Sequence, residues 1–248
     1  MVLKLKRKNP ALGSLGQSGI VRAILLCNIG MFVLSVFVDL QSLRFSASPF
    51  DFLSPGNNSL LALGSTGTIP MFQFHHYWSL LSANYLHAGL LHIVFNMIAL
   101  LQLAPLVSRA YGDYRMAVIY TLGGVAGYVL SIAAGVQLTL GASAAICSLL
   151  GSLLYYGKSR GGVYGQNIFR QIGGWAVGLA IFGFVVPGIN NWGHGGGMIA
   201  GVILGFLLGY TERREEKPIH KITGLLCIVV TALVLIWSCL YGVILLYF

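Results

Sequence analysis

Residues 86–107 read LHAGLLHIVFNMIALLQLAPLV. The run carries no charged residue, and its apolar positions follow neither the alternation of a half-buried strand nor the single stripe of an amphipathic helix. With about 1.5 Å of rise per residue, it is long enough to cross a hydrocarbon layer about 30 Å thick. Lipid offers the backbone no hydrogen bonds, so a crossing segment must satisfy its own, as a helix does. Similar blocks recur at about 20–40, 115–136, 141–157, 168–188, 193–210 and 222–247. The fold class is therefore read as all-α, a polytopic membrane helix bundle of seven spans. A membrane β-barrel would need shorter alternating segments, which the sequence lacks.

Composition agrees. Of 248 residues, 56% are hydrophobic and 8% charged, against about 25% charged in a soluble domain. The net charge of +9 invites a nucleic-acid reading. The Lys and Arg residues instead sit in short clusters between the apolar blocks, where they act as topology signals. Lys4, Lys6, Arg7, Lys8 and Arg22 lie at the first span, Arg109 and Arg115 after the second, Lys158, Arg160 and Arg170 after the fourth, and Arg213, Arg214, Lys217 and Lys221 after the sixth. Only Arg44 falls on the other side. The positive-inside rule then puts the N-terminus in the cytoplasm and the C-terminus outside, as expected of a multi-pass plasma-membrane protein whose surroundings are the lipid bilayer. The first apolar run, Ile20 to Leu40, is longer than a signal-peptide core and reads as an uncleaved span, although Ser46-Ala47-Ser48 resembles a cleavage site.

The chain divides into a basic segment at 1–19, a bundle at 20–211, and a charged linker with a last span at 212–248. The 41–85 loop is no polar linker. It holds Phe50, Phe52, Leu60, Met71, Phe72, Phe74, Tyr77 and Trp78, and such aromatics favour the membrane interface, so it is expected to lie on or in the outer leaflet. Cys27, Cys147, Cys227 and Cys239 fall inside apolar blocks with neither metal-site nor disulfide spacing. They suggest no metal site.

Polar groups are costly in hydrocarbon and mark function. No Asp or Glu lies inside a span; Asp39 sits at the end of the first. That weighs against a proton-coupled carrier and an aspartyl protease, and no internal repeat suggests a transporter. What remains are His87, His92 and Asn96 in the second span, Ser143 at the start of the fourth and His194 at the start of the sixth. Counting back from each cytoplasmic end, Ser143, His194, Asn96 and His92 lie about 22, 24, 20 and 26 Å up. Three helices thus deliver a hydroxyl, imidazoles and an amide to one layer below the outer surface. A serine hydroxyl needs an adjacent base, and neutral imidazole is the usual one. His92 and Asn96, at i and i+4, share a helix face and can donate to a developing oxyanion. The Ser143 backbone N–H, at a helix N-terminus, adds a donor.

At these residues the sequence resembles the rhomboid intramembrane proteases. The resemblance rests on Trp78, His87-x4-His92-x3-Asn96, Gly141-x-Ser143 with Gly151, and His194-x2-Gly197-x3-Gly201, and it covers about 20–210. It implies a rhomboid-like six-helix core with a water-filled cavity opening outward, plus a seventh C-terminal helix. It implies Ser143 as nucleophile and His194 as general base without an acidic third member. His92, Asn96 and the Ser143 backbone would form the oxyanion hole. The implied substrate is a transmembrane helix with helix-breaking residues, cut near the outer face. The sequence departs from the family pattern at Ala144 and Cys147, where Gly and Tyr are usual, at Ser79 beside Trp78, and at Ser108 and Ala110. A rhomboid-like protein that binds transmembrane segments without cutting them is the alternative.

Overall fold

The computed structural model describes residues 18–45 and 52–247. The basic cluster Lys4 to Lys8 and Ser46-Ala47-Ser48 lie outside the described residues. Seven long helices occupy the places the apolar blocks predict: α1 (Gly19–Phe37), α5 (Leu90–Tyr111), α6 (Asp113–Ala133), α7 (Ser143–Arg160), α8 (Gly162–Val185), α9 (Asn191–Leu208) and α10 (Pro218–Tyr247). Three short helices, α2 (Asn57–Ala62), α3 (Thr68–Phe72) and α4 (Ser79–Ser82), fold the outer loop. A small antiparallel ribbon, β1 (Arg44–Phe45) with β2 (Phe52–Ser54), is a minor addition to the all-α reading. The protein is an integral membrane protein.

Five of the long helices, α1, α5, α6, α8 and α10, are long and apolar enough to cross a membrane on composition alone. The other two, α7 and α9, carry the glycines and polar residues, Ser143 and His194 among them. Their mutual packing is the most extensive in the bundle, and α7, the most buried of the long helices, also touches α5, α6 and α8. On α7, the Ser148 hydroxyl donates to the Ile119 carbonyl and the Ser152 hydroxyl to the Leu149 carbonyl, each at 2.8 Å, so the protein satisfies these two groups. The rim is apolar, as lipid contact requires: Leu26, Phe184, Ile199 and Leu233 are exposed.

The α7–α9 seam is built from small residues at four-residue spacing. Gly197 lies against the Ala144 backbone, Gly201 against that of Ser148, and Gly205 against Ser152. A methyl group added at Gly201 would stand 2.7 Å from Ser148 Cα, closer than packed carbons allow. Removing side chains lets two membrane backbones approach, which is how helices associate without a hydrophobic driving force.

Two features of the bundle depart from the expectation. His87 is not in a span: α5 begins at Leu90 behind the extended Gly89, so His87 belongs to the turn before it. Arg115, read as a surface topology charge, is fully buried. Its Nη1 donates to the Gly209 carbonyl at 2.5 Å and the Arg214 carbonyl at 3.0 Å, capping the end of α9.

The seventh helix fastens the outer loop and the end of α1. The Ser238 hydroxyl donates to the Leu63 carbonyl at 2.7 Å, the Tyr247 hydroxyl donates to Val38 at 2.7 Å, and His76 Nε2 pairs with the Tyr241 hydroxyl at 3.0 Å. His76 is buried against Trp78 and Tyr241, with ring centroids 5.2 and 5.1 Å away. Burial holds its proton affinity below the ordinary histidine value. The unfolded loop therefore binds the proton more tightly, and the stability this contact gives is lost as pH falls below about 6.5. Thermal unfolding followed from pH 7.5 to pH 5.5 should show a larger drop for wild type than for His76→Gln; equal drops would remove His76 from the latch.

Candidate active site

Three helix N-termini converge beneath the outer loop. Ser143 is the first residue of α7, so its N–H has no intrahelical acceptor. His92 is in the first turn of α5 and Asn96 one turn further on. His194 is in the first turn of α9. Ser143, His92 and His194 are half-buried, and Asn96 is buried.

The pivot is Gly141. Its φ of +124° lies where side-chain-bearing residues are rarely found. A Cβ built there would stand 2.7 Å from His92 Nε2 and 3.8 Å from Ser143 Oγ. Glycine thus leaves one small volume bounded by a histidine nitrogen and the serine oxygen. The backbone of Gly141 is held at both ends: its N–H donates to the Ala83 carbonyl at 2.8 Å, and its carbonyl accepts from the Tyr128 hydroxyl at 2.6 Å.

The tautomer of His92 follows from its partner. The Ala88 N–H donates to His92 Nδ1 at 3.3 Å, so Nδ1 is the acceptor and the ring proton sits on Nε2, which faces the Ser143 side. His92 therefore offers a donor where a developing oxyanion would need one. Asn96 spends one amide hydrogen on the His92 carbonyl at 2.8 Å and keeps a second. His87 packs edge-on against His92, centroids 5.1 Å apart, and supports that ring from behind.

His194 stands in the first turn of α9, the helix packed most extensively on α7. The seam pairs Ala144 with Gly197, and the helices run parallel. His194 lies one turn before Gly197, on the same face, and Ser143 one residue before Ala144. His194 is also within electrostatic range of His92. Its Nδ1 is buried with no hydrogen-bond partner. No hydrogen bond joins Ser143 to His194 among the described residues. Among the described residues no three His, Cys, Asp or Glu side chains cluster as a metal would require.

A protein-family model for the Rhomboid domain matches residues 75–211, more than half of the chain. The chain belongs to the rhomboid family. The matched stretch contains every residue of the convergence just described. Among curated relatives, the rhomboid protease GluP of Bacillus subtilis is 34% identical over 178 residues, which cover 70% of this chain and 34% of the relative. RHOMBOID-like protein 6, mitochondrial, of Arabidopsis thaliana is 30% identical over 187 residues, covering 70% and 60%. RHOMBOID-like protein 4 of the same plant is 26% identical over 205 residues, covering 76% and 52%. The chain thus spans between about a third and three fifths of the length of these relatives.

The departures from the rhomboid pattern have structural occupants. Ser79 is fully buried, and its hydroxyl donates to Thr66 Oγ1 at 3.0 Å, fastening the outer loop internally. Cys147 is fully buried. Ala144 touches the Gly127 and Gly197 region, where α6, α7 and α9 meet. The Ala110 carbonyl accepts the Thr211 N–H at 2.8 Å and its hydroxyl at 2.9 Å. Tyr128 and Asn190 escaped the reading of the sequence. Tyr128 resembles any apolar span residue, while Asn190 stands just ahead of a span, where Asn is a common helix cap.

Proposed function

We propose that this rhomboid is an intramembrane serine protease whose Ser143 attacks the scissile carbonyl of a transmembrane helix near the outer membrane face. His194 accepts the Ser143 proton and passes it to the leaving amine. His92 Nε2–H, the free Asn96 amide hydrogen and the Ser143 N–H stabilise the oxyanion. Water then hydrolyses the acyl-enzyme, with His194 again as base. The reaction needs no cofactor. The basic residues support a cytoplasmic N-terminus and an outside C-terminus; the location proposed is the plasma membrane, with the six-helix core at 20–211. The observation that carries the reading is the glycine-lined volume at Gly141, bordered by both Ser143 Oγ and His92 Nε2.

The missing Ser143–His194 hydrogen bond favours a second reading, a rhomboid-like protein that binds transmembrane segments and leaves them intact. Proteoliposomes holding the purified protein and a panel of labelled transmembrane segments separate the two. Protease action yields fragments whose new termini map to the outer end of the segment, and Ser143→Ala yields none. Bound but uncut segments across the panel would instead support the silent reading.

A further inference from the structure

We propose that Asn190 is a positioning residue that sets the placement of His194 against Ser143; this rests on the dyad reading above. Asn190 stands four residues before His194 and caps α9: its Oδ1 accepts the Gly193 N–H at 2.9 Å. Its own backbone carbonyl accepts the His194 N–H at 3.1 Å. Its Nδ2 spends both hydrogens on other elements, donating to Thr139 Oγ1 at 2.9 Å and to Ser131 Oγ at 2.8 Å. Thr139 stands four residues before Ser143. One amide therefore ties the start of the His194 helix to the strand of chain that delivers Ser143.

Both anchors are themselves fixed. Thr139 exchanges backbone hydrogen bonds with Thr66 of the outer loop at 2.9 and 2.7 Å. The Ser131 hydroxyl donates to the Gly127 carbonyl at 3.0 Å, and Gly127 is the α6 residue wedged between Gly193, Gly197 and Ala144. A generic helix cap needs only the oxygen of Asn190. The two nitrogen contacts add nothing to α9 itself; they fix where its first turn sits. Small displacements of reacting groups are costly, about a hundredfold for 1 Å, so this tie should govern turnover more than substrate binding.

Thr139 offers the cleaner test, because Val removes the acceptor at constant shape and Ser restores it. With full-length protein and a transmembrane substrate, Thr139→Val and Asn190→Ala should lower kcat about tenfold or more. KM should stay within about twofold, and Thr139→Ser should match wild type within about twofold. Ring-nitrogen NMR of histidine-labelled protein, with His194→Ala for assignment, should show the His194 signals displaced in Thr139→Val and Asn190→Ala but not in Thr139→Ser, with His220 unmoved in all three. Wild-type kcat and unmoved His194 signals in folded Thr139→Val would overturn the proposal. Should Asn190→Ala fail to fold, Thr139→Val still decides. Should wild type cut nothing, the protease reading fails, while the spectra still show whether Asn190 positions His194.

Discussion

Ser143→Ala and His194→Ala should each lower kcat/KM for a transmembrane substrate by at least about a thousandfold, roughly 4 kcal/mol of transition-state stabilisation. Combining them should cost little more than either alone, because a nucleophile and its base act as one unit. Neither change should disturb the fold. Ser143 is a half-buried residue at a helix start, and His194 Nδ1 makes no hydrogen bond that its loss would break. Melting midpoints near wild type, with fragment formation lost in both variants, are the expected result. Full effects that multiplied in the double variant would mean that the two side chains act independently.

The second large effect falls on the fold. Gly201→Leu should leave little folded protein. Even the first carbon of the new side chain would overlap the Ser148 carbonyl oxygen and press on its Cα. The obstacle is helix backbone and cannot swing aside. Overpacking of this kind costs about 1–3 kcal/mol where neighbours can shift, and more is expected where they cannot. Gly174→Ala in α8 is the matched control. Nothing stands within 4 Å of its would-be side chain, and alanine favours a helix over glycine by about 0.5–1 kcal/mol. Unfolding in graded SDS should separate the two variants widely. Similar curves would mean that the α7–α9 seam is looser than its contacts imply.

Much of this was legible in the sequence, for a physical reason. A bilayer forces each spanning segment into a helix, so apolar length alone locates α1, α5, α6, α8 and α10. The helices α7 and α9 are legible as apolar blocks as well, at 141–157 and 193–210, and Gly141, Ser143, His194, Gly197 and Gly201 mark them further as helices that turn small and polar residues toward a neighbour. His92 and Asn96 stood out because polar groups in an apolar run are rarely accidental. Boundaries were less legible. The reading began α8 at residue 168, whereas the helix starts at Gly162, because its first turns are polar and glycine-rich. The ribbon and α2 to α4 of the outer loop left no periodic signal.

What stayed hidden were residues whose roles depend on a distant partner. Tyr128 matters through the Gly141 carbonyl, Arg115 through the carbonyls that end α9, and Asn190 through Thr139 and Ser131. Each partner is a backbone or hydroxyl oxygen brought up by tertiary folding. No spacing rule along the chain announces it.

Proteolysis by this site requires one oxygen to be made nucleophilic inside the bundle. Treating the purified protein with a fluorophosphonate and locating the adduct by peptide mass spectrometry tests that directly. The expected outcome is a single phosphonylated site at Ser143 in wild type and no adduct in His194→Ala. An adduct at another serine, or unmodified Ser143 in a preparation that still cuts transmembrane segments, would contradict it.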